Sequence, residues 1–247
     1  MTDTHDDKKT ADVAALPCNA FSTTDWKYRV QFETDTAITL PITRYFDGSI
    51  REQYTYGDTI AHWEPPIQAF WRRFPDRYYQ FFVMAPRLKP GRILEVGAEF
   101  YNKYIKEVIA PGQELTVVDI KAPDHPDIAS ICGLDYYYRL DMTSDDGLNY
   151  PWLQGHFDTV LSFGVLSAYD FTYEECVRYV QNMARFLKPE GLAIFKIDRH
   201  RLTLHTKLPS FAHLISIIQT FFAIRERDIL TVPDEEFVCL YAIKQPH

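Results

Sequence analysis

The 247-residue chain lacks the features that mark several functional classes. Its four cysteines (Cys18, Cys132, Cys176 and Cys239) are scattered, with no C-x-x-C pair and no histidine beside them at metal-ligand spacing. Neither a zinc site nor a disulfide framework is therefore expected, and free thiols in a reducing cytoplasm are. Positive charge is in deficit, with 26 Lys and Arg against 34 Asp and Glu and a net charge of −8. That balance argues against broad binding to nucleic acid, which needs a basic field. Short basic runs at Arg72-Arg73 and Arg199–Arg201 read as solvated faces. No apolar run is long enough to span a bilayer. The polar, acidic stretch Met1–Thr10 is unlike a secretory signal, so a cytoplasmic location is expected. Glycine is missing where nucleotide-binding loops concentrate it. After the apolar run Arg92–Val96 comes one glycine, Gly97, and then Ala98, Glu99 and Phe100.

What the chain does contain changes texture near Pro90. A composition of 46% hydrophobic and 24% charged residues is ordinary for a globular protein, and the length suits one α/β domain with an appendage. Residues 1–20 show no periodicity and are expected to be a disordered tail. Residues 21–64 are strand-like: Lys27–Phe32 alternates, Thr36–Tyr45 is rich in β-branched residues, and Asp47-Gly48 is a hairpin-turn dipeptide. This predicts an N-terminal β-hairpin, with Pro41 pointing to an edge position for its strand. The main domain is expected over 65–247. Pro65-Pro66 opens a helix that runs to about Met84, with Pro75 as a break or kink.

Beyond Pro90, strand and helix patterns alternate. Strands are expected at Arg92–Val96, Glu114–Asp119, Tyr137–Asp141, Phe157–Phe163 and Leu192–Ile197. Helices are expected near Tyr101–Ile109, Pro126–Leu134, Tyr173–Leu187 and Pro209–Phe221. Such alternation implies βαβ units and a parallel sheet with helices on both faces. Two final strand-like runs, Phe222–Leu230 and Glu236–Lys244, flank a short turn at Val232-Pro-Asp234. A connection that short joins antiparallel neighbours.

The strand ends carry the chemistry. The first ends in Glu95-Val-Gly97, and a glycine there lets the backbone turn tightly against a ligand. The second ends in Asp119, an acid suited to a ribose diol, and the third in Asp141, suited to an adenine amino group. Each has a plainer reading: Gly97 as a strand-end turn, Asp119 as the cap of a helix after it, and Asp141 as a cap ahead of Thr143-Ser-Asp-Asp146.

Ile93-Leu-Glu-Val-Gly97, Val118-Asp119, Leu140-Asp141, Phe157-Asp-Thr-Val-Leu-Ser162 and Phe186-Leu-Lys-Pro-Glu-Gly-Leu-Ala-Ile-Phe195 together resemble a class I S-adenosylmethionine-dependent methyltransferase, of the small-molecule branch. Many members carry Leu-Lys-Pro-Gly-Gly before the fifth strand; here Pro189 is expected to stop the helix and Gly191 to start the strand. The resemblance covers about 66–247. It implies a Rossmann-like, mostly parallel seven-stranded sheet with one antiparallel strand, and S-adenosyl-L-methionine as cofactor. By the resemblance, Glu95, Gly97 and Ala98 lie near the methionine part, with Glu99 or Tyr101 reaching its amine or carboxylate. Asp119 with Ile120 would hold the ribose, Asp141 with Met142 the adenine, and Ser162, Phe163 and Gly164 the methyl-donor end.

Methyl transfer from a sulfonium needs alignment and an unprotonated nucleophile. His200 is the candidate base, a surface loop histidine being the alternative. Tyr169, Arg199 and His205 are candidate acceptor-binding residues, the arginine for a carboxylate or phosphate. No Asn/Asp-Pro-Pro-Tyr motif follows the fourth strand, which argues against methylation of exocyclic base nitrogens. Tyr54, Tyr56 and Trp63 belong to an aromatic segment that reads equally as a substrate lid or as a homodimer interface. Three functions compete: transfer to a small molecule, most simply at oxygen; a methyltransferase-fold binding partner or non-methylating enzyme with a degenerate loop; and methylation of protein or RNA, which the acidic balance disfavours.

Overall fold

The computed structural model describes residues 37–46, 51–59, 79–97, 112–125, 128, 134–232 and 235–246. The expected tail, the Tyr101–Ile109 helix, most of the Pro65–Met84 and Pro126–Leu134 helices, and the Asp47-Gly48 turn lie outside them.

β-branched and aromatic runs form nine strands among these residues: β1 Ala37–Phe46, β2 Arg51–Thr59, β3 Arg92–Val96, β4 Glu114–Asp119, β5 Tyr136–Arg139, β6 Phe157–Phe163, β7 Leu187–Asp198, β8 Phe222–Val232 and β9 Glu235–Lys244. They make one sheet in the order β2-β1-β8-β9-β7-β6-β3-β4-β5. Strands β5, β4, β3, β6 and β7 are parallel, and β9 is antiparallel to both β7 and β8. The seven strands from β3 onward thus contain one reversed member, β9, as the resemblance implied. The order reverses at β3, between β4 and β6, and such a switch point leaves a crevice at the strand ends.

The N-terminal hairpin is a continuation of this sheet. β1 pairs with β2 and, over Ile42–Phe46, with β8. The expectation that the Pro41 strand lies at an edge is corrected: among the described residues β2 is the edge, and β1 is paired on both sides. Pro41 pairs with Thr55 but precedes the stretch bonded to β8, so its missing N–H costs no ladder bond there.

Four α-helices are described: α1 Val165–Ala168, α2 Tyr173–Phe186, α3 Arg199–His205 and α4 Phe211–Phe221. α2 presents Cys176, Tyr179, Val180, Met183 and Phe186 at helical spacing to a core shared with Leu94, Val160, Phe195 and Leu240. It ends at Phe186, before the expected stop at Pro189. Lys188, the residue before proline, is biased to extended backbone, so the helix ends ahead of it. Pairing of β7 with β6 then jumps from Phe157↔Leu187 to Thr159↔Leu192, which leaves Lys188–Gly191 as a bulge. β5 stops at Arg139, so Asp141 sits just past its strand. Cys176 and Cys239 are buried free thiols, and burial pushes the Cys176 thiol up to about 12.

A buried polar cluster joins the hairpin to the core. Arg44 on β1 donates from Nε to Asp228 Oδ1 of β8 at 2.5 Å and from Nη2 to Oδ2. Tyr79 donates to the same Oδ2 at 2.6 Å and shares a hydrogen bond with Tyr241 of β9.

Candidate functional site

A cavity of about 600 Å³, counted to its open mouth, lies at the carboxyl ends of β3, β4 and β5 and beside α1 and α2. Gly97 turns the chain at the end of β3 with φ +74°, and its N–H donates to Val118 O at 2.9 Å. A Cβ on Gly97 would meet Val165 Cγ2 at 2.4 Å, so the loop and α1 approach each other where a side chain cannot fit.

Two acids, Asp119 and Asp141, line the cavity. Asp119 is 6% exposed, and its Oδ1 accepts the Lys121 N–H at 2.9 Å. Asp141 Oδ1 accepts both the Thr143 N–H at 2.8 Å and the Thr143 hydroxyl at 2.7 Å. Each acid therefore caps its own loop with one oxygen. Among the described residues the second oxygen of each has no hydrogen-bond partner. The capping and ligand readings of these residues are compatible, because a carboxylate has acceptors for both.

The loop that holds Asp141 is fixed from below. Asn182 on α2, buried, donates from Nδ2 to Met142 O at 3.0 Å and Ser144 O at 2.9 Å. On the other side, Tyr169 and Phe171 stack with ring centres 5.7 Å apart, and Phe171 lies 6.1 Å from Tyr179. Lys207 N donates to Phe171 O at 3.1 Å and ties this wall to the segment after α3, while Ser167 Oγ of α1 accepts the Asp198 N–H at the end of β7 at 3.1 Å.

Of the residues expected to hold the cofactor, Gly97, Asp119, Ile120, Asp141 and Met142 line the cavity, and so does the acceptor candidate Tyr169. Glu95, Ser162, Phe163 and Gly164 do not. Glu95 is fully buried in β3. Ser162 lies behind the wall, bonded to Tyr179, and Gly164 forms the left-handed turn into α1 with φ +81°. His200, Arg199 and His205 are exposed on α3 and line no part of the cavity. Arg199 pairs instead with Glu236, and the His200 N–H is capped by Asp198 Oδ1 at 2.9 Å. Ala98, Glu99, Tyr101 and Trp63, with the side chains of Tyr54 and Tyr56, lie outside the described residues. Sequence reasoning missed Val96, Val118, Leu140, Thr143, Val165, Phe171 and Tyr179 as lining residues. Their apolar spacing signals only burial, although Thr143 follows Asp141 at the interval of an Asx turn.

No family profile and no curated protein matches the chain. Solved structures do. The N-methyltransferase NodS from Bradyrhizobium japonicum WM9, in complex with S-adenosyl-L-homocysteine, superposes with TM-score 0.51 at 16% identity, over 71% of this chain and 87% of that one. A TehB-like SAM-dependent methyltransferase from Corynebacterium glutamicum ATCC 13032 Kitasato gives TM-score 0.50 at 14% identity, over 73% and 97%. The chain has the class I methyltransferase fold. In that methyltransferase fold the cavity occupies the switch point of the sheet, where open α/β sheets bind their ligands.

Proposed function

We propose that the protein is an S-adenosylmethionine-dependent methyltransferase whose acceptor is a small molecule methylated at oxygen. The observation that carries this reading is the placement of two half-committed carboxylates, Asp119 and Asp141, beside the Gly97 turn in one cavity. The donor set fits the cofactor. Asp119 Oδ2 would accept from the ribose hydroxyls and Asp141 Oδ2 from the adenine amine, with Met142 along the base. The turn at Gly97, with φ +74°, lines the same cavity, where the remainder would pass. When bound, S-adenosylmethionine supplies an electrophilic methyl group on its sulfonium.

The chain's own contribution is alignment and exclusion of water. The Tyr169–Phe171 wall suits an apolar or ring-bearing acceptor. The Lys207 N–H bonded to Phe171 O anchors the wall, and positioning alone is worth several orders of magnitude in rate.

Calorimetry with S-adenosylhomocysteine tests the reading. Wild type should bind, and Asp119→Ala should lose about 1–3 kcal/mol of affinity, the cost of leaving buried polar groups unpaired. Absence of binding at millimolar ligand refutes cofactor use. Unchanged affinity in the variant refutes the ribose assignment.

A further inference from the structure

The helix α2 carries its apolar stripe through Cys176, Val180, Met183 and Phe186, but one member of that stripe, Tyr179, has a hydroxyl. That hydroxyl is 2.8 Å from Ser162 Oγ at the end of β6. Both residues are 1% exposed. The pair has two hydroxyl hydrogens, and the mutual bond uses one of them. Among the described residues neither hydroxyl has another hydrogen-bond partner, so one O–H is left to donate. A buried donor without an acceptor is costly, whereas Leu or Phe at both places would carry no such cost. Tyr179 lines the cavity and Ser162 does not. The arrangement that places the spare hydrogen toward the cavity has Ser162 donating to Tyr179.

The side chains around the cavity make this donor complementary to the two acids. Asp119 and Asp141 can only accept, and the Thr143 hydroxyl already donates to Asp141. A nucleoside has donors for those carboxylates, but its ring nitrogens and ribose oxygens also need a donor. Tyr179 stands near the acid expected to take the ribose. Its phenol is pushed up first by burial, and the Asp119 charge adds to the shift, so it stays a neutral donor at any physiological pH.

We propose that Tyr179, held in direction by Ser162, is a positioning residue that donates a hydrogen bond to an acceptor atom in the nucleoside half of the bound cofactor. The inference rests on the cofactor reading above. It adds to the acids a contact that pairs with the opposite hydrogen-bonding character of the ligand.

The test uses the full chain and two probes, S-adenosylhomocysteine and adenosine, titrated into wild type, Tyr179→Phe and Ser162→Ala. Phe keeps the ring and its packing on Phe171, and a melting curve checks that the variant is folded. Tyr179→Phe should weaken both probes by the same factor, roughly two- to tenfold, the worth of one neutral hydrogen bond. Ser162→Ala should weaken both in the same direction by less, since the donor remains but loses its anchor. A purely structural hydroxyl would lower the melting temperature and leave both affinities unchanged, which overturns the inference. A loss confined to S-adenosylhomocysteine overturns it too, because it places the contact on the amino-acid half. Should Tyr179→Phe fail to fold, wild-type affinity in Ser162→Ala is enough to overturn it. If wild type binds neither probe, the cofactor reading itself fails.

Discussion

Glu190 holds φ +59° in the bulge between α2 and the paired part of β7, a left-handed conformation that costs an L-residue about 1–2 kcal/mol. The sequences this chain resembles commonly place a second glycine there, and here the strain is retained. Glu190→Gly should therefore stabilise the protein by about 0.5–1 kcal/mol, after the entropy that glycine loses on folding is set against the relief. Urea denaturation measures this, and a variant less stable than wild type would show that the Glu190 side chain contributes more than its backbone costs. The same scale separates what could be read from what could not. Asp119 and Asp141 were legible as acids closing apolar runs, and both line the cavity. Tyr179 and Asn182 were not, since one looks like a core aromatic and the other like a surface amide until the neighbouring loops are in place.

Among the elements, α2 is the most fully specified. Thr172 accepts the Glu175 N–H, and Glu175 accepts the Thr172 N–H at 2.7 Å, a reciprocal capping box. Those bonds hold the Glu175 carboxyl below its ordinary value of 4.5, the backbone N–H of Thr172 being the largest cause. A carboxyl depressed in the folded state stabilises fully above its unfolded pKa. That contribution fades as pH falls below about 4.5 and through the folded value. Thermal melts taken at falling pH should show this loss, and Glu175→Gln should make that acid limb shallower. An unchanged slope would mean the box is not formed in solution. By contrast, the segment after the fifth strand was read as a loop bordering the acceptor, and it forms the helix α3 instead. Asp198 caps its start, and the rotation of its exposed face depends on Leu202 packing into the core.

For the whole molecule, the hairpin is the departure from a seven-stranded sheet. Its β1 strand extends the ladder, and the bidentate Arg44–Asp228 pair, 5% and 0% exposed, fixes it there. A buried pair is costly to break from one side only. Asp228→Ala should lower stability by up to about 3–5 kcal/mol, because it removes the bidentate partner of a buried arginine and leaves Glu226 only at 3.9 Å, while Arg44→Met with Asp228→Leu should recover most of the loss. Hydrogen exchange at Ile42–Phe46 locates the effect: these amides should open first in Asp228→Ala. Exchange rates equal to wild type would show that the ladder holds β1 without the pair.

Local sequence was enough to set the alternation of strands and helices, the reversed last strand, and the acids at the end of β4 and beyond β5. Those features depend on periodicity, on turn residues and on which side chains a strand end tolerates. Tertiary contacts were needed to join the hairpin to the sheet through β8, to turn α3 away from the cavity, and to bring the Tyr179 hydroxyl to Ser162. Those depend on pairings between residues far apart in the chain, and no local pattern encodes which distant partner a buried polar group finds.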